Sequence, residues 1–239
     1  MRRDEQSKEN YKECLGTTFV HSLRYSKGDK DASKKYPFDI KIRIPPEEPI
    51  ESIKEKGLVY LKFILIGDRL EDVRKLVNRS KYFDSVKKGF QDLLFIGVDF
   101  YLPRLLLEKD RTTYLVILQV FHLNGNDRFH HIRPKFYYGA QRVIVFFRYS
   151  EPASLKSAIK FINEARKYCN EFSLIGILSK DPNMNIIDDD DINNIVDDIK
   201  KKDKEISIDV YKIQEDKPES FDDLLEEYVV DYMIRLTKE

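Results

Sequence analysis

The sequence predicts an α/β fold in which a mostly parallel sheet is covered by helices on both faces. Three observations carry that expectation. Apolar runs of strand length recur at Leu58 to Ile66, Tyr114 to Phe121, Val143 to Phe147 and Ser173 to Leu178, and Ile206 to Tyr211 adds an alternating segment. Those runs are apolar on both faces, as strands buried from two sides are. Between them lie stretches with one apolar face at 3.6-residue spacing, the pattern of helices that cover a sheet.

Residues 1–35 are polar and lysine-rich, broken only by a short apolar patch from Thr17 to Val20. FDIKIRI, Phe38 to Ile44, then alternates apolar and charged side chains as a half-buried strand does. It is suited to adding an edge to the sheet, to pairing with a partner strand, or to folding over the working site. Pro45, Pro46 and Pro49 follow with Glu47 and Glu48; prolines lack the amide donor and restrict the preceding backbone, so an extended linker is expected. The chain thus divides into an extension, 1–56, and a domain, 57–239, of about 180 residues. Within the domain Leu155, Ala158, Ile159, Ile162, Ala165 and Cys169 form one helical face, and Phe221, Leu224, Leu225, Tyr228, Val229, Met233 and Leu236 form another. The segment DDDDINNIVDDIKKKDK, from Asp188, places acids first and lysines last. That order complements a helix dipole, and without loop spacing or a central glycine it reads as an exposed helix rather than a calcium site.

Lys+Arg and Asp+Glu both number 42, so the formal net charge is zero. A protein that grips nucleic acid through phosphate neutralisation usually carries a basic excess, so no nucleic-acid partner is expected. No apolar run approaches the roughly 20 residues that span a bilayer, and MRRDEQSKENYKE lacks the apolar core of a secretory signal. Two cysteines, Cys14 and Cys169, give neither a disulfide framework nor a metal cluster, and a cytoplasmic location is expected. His122, His130 and His131 lie near Asp127 in sequence, but no second cluster completes a coordination sphere, and no metal site is assigned.

The strand-to-helix segment KFILIGDRLEDVRKL and the stretches LFIGVDFYLPRLLLE, LQVFHLNGNDRF and PKFYYGAQRVIVFF together resemble the Ras-like small GTPases, the Rab branch above all. In a row, Ile96, Gly97, Val98, Asp99 and Phe100 match; Gly125, Arg128 and Phe129 are kept, and so are Pro134, Tyr137, Gly139, Ala140 and Gln141. The resemblance covers roughly Leu58 to Glu239 and implies a small-GTPase-like, P-loop NTPase type fold with a mostly parallel six-stranded sheet. Nearly every residue that would touch nucleotide departs from the family pattern. Of the phosphate-binding loop only Gly67 and Asp68 match; the later glycines are Leu70 and Asp72, the lysine is Val73 and the magnesium hydroxyl is Arg74. Phe95 stands for the threonine that closes on magnesium, His122 for the magnesium-linked aspartate and Asn126 for the water-orienting glutamine. In the guanine-reading motif Asp181 survives, while Leu178 and Ser179 replace its asparagine and lysine.

These departures imply a pseudoGTPase with no catalytic residue and no cofactor. The alternative is an atypical switch holding GTP or GDP with Mg2+ through Gly67, Asp68, Lys75, Gly125 and Asp181. The Rab aromatic triad maps onto Phe100, Phe121 and Phe136. With Ile96 and Val98, these form the expected partner-binding face, used by a protein partner in a scaffolding or trafficking assembly. The other reading is that Phe95, Phe121 and Leu123 fill the space a nucleotide takes elsewhere in the family. No cysteine follows Leu236, so no prenyl anchor is expected, and recruitment to membranes would fall to a partner.

Overall fold

Every long apolar run of the sequence becomes a strand of one sheet. The computed structural model describes residues 40–44, 57–83, 97–109, 112–217 and 219–236. The central strand β2 (Gly57–Gly67) pairs in parallel with β5 (Thr112–Asn124) on one side and with β6 (Arg142–Arg148) on the other. β7 (Glu171–Leu178) and β8 (Ser207–Gln214) continue the parallel half beyond β6. On the other side β3 (Val98–Tyr101) and β4 (Arg104–Lys109) both run antiparallel to β5. β1 (Ile40–Arg43) pairs antiparallel with β4, so the FDIKIRI segment adds an edge strand.

The order is β1-β4-β5-β2-β6-β7-β8, with β3 beside β5: eight strands among the described residues rather than the expected six. Two causes account for the difference. The segment ahead of the proline cluster contributes β1. The antiparallel run along β5 is split at Leu102 and Pro103, where proline offers no amide to the ladder although its carbonyl still accepts from the Leu118 N–H at 2.9 Å.

Helices cover both faces because both faces are apolar. One carries α1 (Leu70–Arg79), whose Val73, Leu76 and Val77 are buried, and α5 (Glu219–Leu236), which meets the sheet through the Phe63–Tyr228 and Phe146–Phe221 ring contacts. The other carries the short α2 (Arg133–Tyr137), α3 (Pro152–Ala165) and α4 (Asp189–Lys202). Here Ala158, Phe161, Ile162, Ile192 and Val196 pack with Ile64, Ile66, Val143 and Val145 in a continuous core. As its charge order predicts, α4 opens on Asp188, whose carboxylate accepts from the Asp190 N–H, and ends on Lys200, Lys201 and Lys202. Among the described residues no helix is long and apolar enough to cross a membrane.

Candidate functional site

In open α/β sheets the working end lies at the C-terminal ends of the parallel strands, here Gly67, Arg148 and Leu178. A polyphosphate cradle needs a loop of several residues whose amides turn inward. Between β2 and α1 only Asp68 and Arg69 intervene, and the helix begins at Leu70. The first turn of α1 carries its own acids, Glu71 and Asp72. Asp72 is 8% exposed and takes two bonds from Arg148, Nη2 at 2.6 Å and Nε at 2.5 Å. Arg148 also reaches Glu215 at 3.3 Å, and Arg69 pairs with Glu151 at 2.6 Å. Partial burial, with Glu151 nearby, raises the Asp68 carboxyl above its ordinary range. The cavity lined by Gly67, Asp72, Phe146 and Arg148 measures about 10 Å³, the space of a single water.

Arg74 and His122, which stand at two magnesium positions of the family pattern, share one carboxylate, that of Asp99. Arg74 on α1 donates to Asp99 on β3 through Nε at 2.9 Å and Nη2 at 3.1 Å, and to Glu71 at 3.0 Å. His122 on β5 places Nδ1 3.2 Å from the same Asp99 carboxylate. Burial alone raises the Asp99 carboxyl; the bonds from His122 and Arg74 outweigh it and hold it at about 2. His122 is fully buried, and that burial lowers its pKa more than Asp99 raises it. The ring is therefore neutral, with Nδ1–H donating to Asp99. Arg74 thus links α1 to β3 and, through Asp99, to His122 on β5.

The following segment is tied down as firmly. A Cβ on Gly125 would lie 2.3 Å from the Gly67 carbonyl oxygen, so this glycine is needed for the close approach of β5's end to β2. Asn126 accepts from the Arg128 N–H and starts a 3₁₀ turn, Asp127–Phe129. Arg133, 1% exposed, makes paired bonds to Glu164 of α3 at 2.9 and 2.8 Å and donates to the Asn126 carbonyl at 3.0 Å. Its remaining N–H reach extends to the Asn124 and Gly125 carbonyls at 3.4 Å. Lys160 of α3 pairs with Asp127 at 2.5 Å.

The other candidate nucleotide residues do not converge. Lys75 is exposed on α1, on the side away from the buried Asp72, Val73 and Leu76. Asp181 is exposed and caps its own 3₁₀ turn, accepting from the Asn183 N–H at 3.0 Å. His130 and His131 pack edge to face, 5.7 Å apart. Among the described residues no three His, Cys, Asp or Glu side chains gather as metal ligands.

The aromatic triad does converge. Phe100 and Phe121 are ladder partners with ring centroids 4.6 Å apart, and Phe121 meets Phe136 of α2 at 5.4 Å. All three are partly exposed, with Phe121 and Phe136 resting on the core beneath. Val98 lies on the same sheet face but is 4% exposed and belongs to that core, so it cannot contact a partner; its neighbour Leu123 is fully buried. Phe95 and Ile96 lie outside the described residues. Arg133, Glu164 and Arg148 are the site residues that sequence reasoning passed over. The detectable signals are a charge ending the apolar run of β6 and an arginine directly before Pro134.

A mostly parallel sheet flanked on both sides, with a glycine-ended first strand and a Gly125 corner beside it, defines the small-GTPase class of fold. The Ras family model matches residues 62–211. The chain is 27% identical over 121 residues to "Ras-related protein Rab-18" of Caenorhabditis elegans, covering 51% of this chain and 56% of that protein. It is 30% identical over 113 residues to "Ras-related protein RABD1" of Arabidopsis thaliana, covering 46% of this chain and 50% of that protein. The matched stretch thus spans about half the length of these relatives. With the family model matching more than half of its length, this chain belongs to the Ras family.

Proposed function

We propose that this chain is a Rab-like pseudoGTPase: a protein-interaction module that neither binds guanine nucleotide tightly nor hydrolyses it. One observation carries the reading. The positions that would serve phosphate and magnesium are occupied by intramolecular pairs, Arg148–Asp72 and Arg74–Asp99–His122. Each charged hydrogen bond lost to a phosphate or its metal is worth about 1.5–3 kcal/mol. Losing several takes a nanomolar complex, about −12 kcal/mol, toward millimolar affinity at about −4 kcal/mol.

The Arg74–Asp99–His122 set ties β3 to α1 and β5, and Arg133 with Glu164 ties the Gly125–Tyr137 segment to α3, both without a ligand, which favours constitutive partner binding through Phe100, Phe121 and Phe136. Aromatic side chains are the usual anchors of protein interfaces. By analogy with the Rab branch the assembly is one of trafficking or scaffolding, in the cytoplasm, with membrane recruitment left to the partner. The direct test is the nucleotide content of freshly purified, heat-denatured protein, resolved by ion-exchange chromatography. The reading expects far less than one nucleotide per chain. Stoichiometric GDP or GTP would make the protein a divergent switch with a non-standard site.

A further inference from the structure

The aromatic face carries two cations, Lys62 and Arg104, that pair with no carboxylate among the described residues. Ladder register sets its layout, because side chains two residues apart on a strand share a face. One rung holds Arg104, Ile117 and Tyr60; another, two residues along β2 and β5, holds Lys62 and Gln119; the next holds Phe100, Phe121 and Ile64. Tyr60 is 53% exposed and Leu58, on the same face, 49%. The triad therefore continues about 13 Å toward the start of β2 as an apolar strip, interrupted by Lys62 and flanked at the Tyr60 rung by Arg104.

Lys62 lies at that interruption. Its ammonium sits 5.1 Å from the centre of the Phe121 ring and donates to the Tyr138 carbonyl at 2.7 Å. Among the described residues it meets no carboxylate, and neither does the exposed Arg104. Partial burial lowers the Lys62 pKa, the direction expected of a cation that has lost water without gaining an anion. Four other partly buried or buried cations, Arg74, Arg133, Arg142 and Arg148, each bond a carboxylate. Charged groups at interfaces are arranged to be complementary, and a desolvated lysine left open amid aromatic rings is complementary to an anion.

Resting on the reading of this face as a docking surface, we propose that its occupant is a protein segment presenting apolar side chains to Phe121 and Tyr60 around a carboxylate that reaches Lys62. The partner's chemistry is thereby fixed as apolar and acidic. A basic segment would leave two like charges facing each other across a partly dried surface.

The test is a selection from a displayed library of random 16-residue segments against the full chain, followed by Kd measurements on the recovered segments. Recovered segments should carry Asp or Glu among apolar residues, with affinity that falls as salt rises. Lys62→Glu should weaken them roughly ten-fold or more, Lys62→Met should weaken them less, and Lys62→Arg should keep most of the affinity. Lys62→Met also stands in if the charge reversal fails to fold. Segments without acids, indifferent to both Lys62→Glu and Lys62→Met but lost in Phe121→Ala, would overturn the acidic-partner inference while leaving the docking face intact. If no recovered segment depends on Phe121, the docking face itself is contradicted. Lys62-dependent binding of a single-stranded oligonucleotide to this face would overturn the assignment of a protein partner.

Discussion

The nucleotide end of the sheet and its aromatic face treat charge in opposite ways. At the former, the guanidiniums of Arg74, Arg133 and Arg148 are each held by a carboxylate that is itself largely buried, Asp99, Glu164 and Asp72 respectively. At the latter, Lys62 and Arg104 stand without a carboxylate among the described residues, beside tyrosine and leucine side chains about half exposed. A closed region satisfies its charges internally, since an unpaired buried charge costs several kcal/mol. An open region can leave the pairing to whatever binds there. The contrast is what supports the proposal that the working surface is the sheet face rather than the strand ends.

The first way to break the comparison is to open the closed region. Arg133→Ala would strand Glu164 and uncap the carbonyls of Asn124 to Asn126, and should cost about 3–5 kcal/mol in a urea denaturation series. Arg148→Ala leaves Asp72 buried without its partner and should cost about 3 kcal/mol, much of it recovered in the double variant Arg148→Met/Asp72→Leu. Were the double variant as unstable as the single one, the pair would be contributing more than charge compensation.

The Asp99 carboxyl sharpens the comparison through pH. Its folded pKa, about 2, lies below the ordinary 3.8. A carboxyl lowered by folding contributes stability that is present above pH 4 and lost as the pH falls through 2. That contribution should be about 2 kcal/mol, and Asp99→Asn should flatten the stability profile over the same window. His122, with its pKa lowered by burial, adds a loss in the same direction that begins as the pH falls below about 6.5. A profile flat from pH 6.5 to 2 would contradict both assignments.

The smallest stability effect belongs to the open face. Phe121→Ala should cost less than the roughly 3–5 kcal/mol of a fully buried phenylalanine, because part of the ring faces solvent. The same substitution should cost a bound partner about 2 kcal/mol or more. A large stability loss with unchanged binding, measured by calorimetry, would reduce Phe121 to a core residue.

The core was legible because apolar runs and 3.6-residue faces are local signals: β2, β5, β6 and β7, and α3, α4 and α5, form where those patterns lie. The triad was legible through its resemblance to Rab sequences. What pairs with a buried charge was not. Arg148 and Asp72 are 76 residues apart and Arg74 and Asp99 are 25 apart, distances over which periodicity says nothing. Val98 shows a second limit. Alternation places it on the face of Phe100, but only its position along the strand, nearer the end covered by α2 and α3, decides that it is buried. The two added strands have related causes: alternation marked Phe38 to Ile44 as a strand without saying which edge would receive it, and the split of the run beside β5 at Leu102 and Pro103 lies within one apolar stretch.

If internal ion pairs have taken over the roles of phosphate and magnesium, nucleotide has nothing to add to the fold. The thermal midpoint of the purified protein, measured in EDTA and again with excess magnesium and GTP or GDP, tests it most directly. A ligand held a thousand-fold above its Kd stabilises the native state by about 4 kcal/mol, a shift of several degrees. The same midpoint, within about a degree, is expected under every condition. A rise of several degrees with GTP or GDP and magnesium, absent in EDTA, would contradict that expectation.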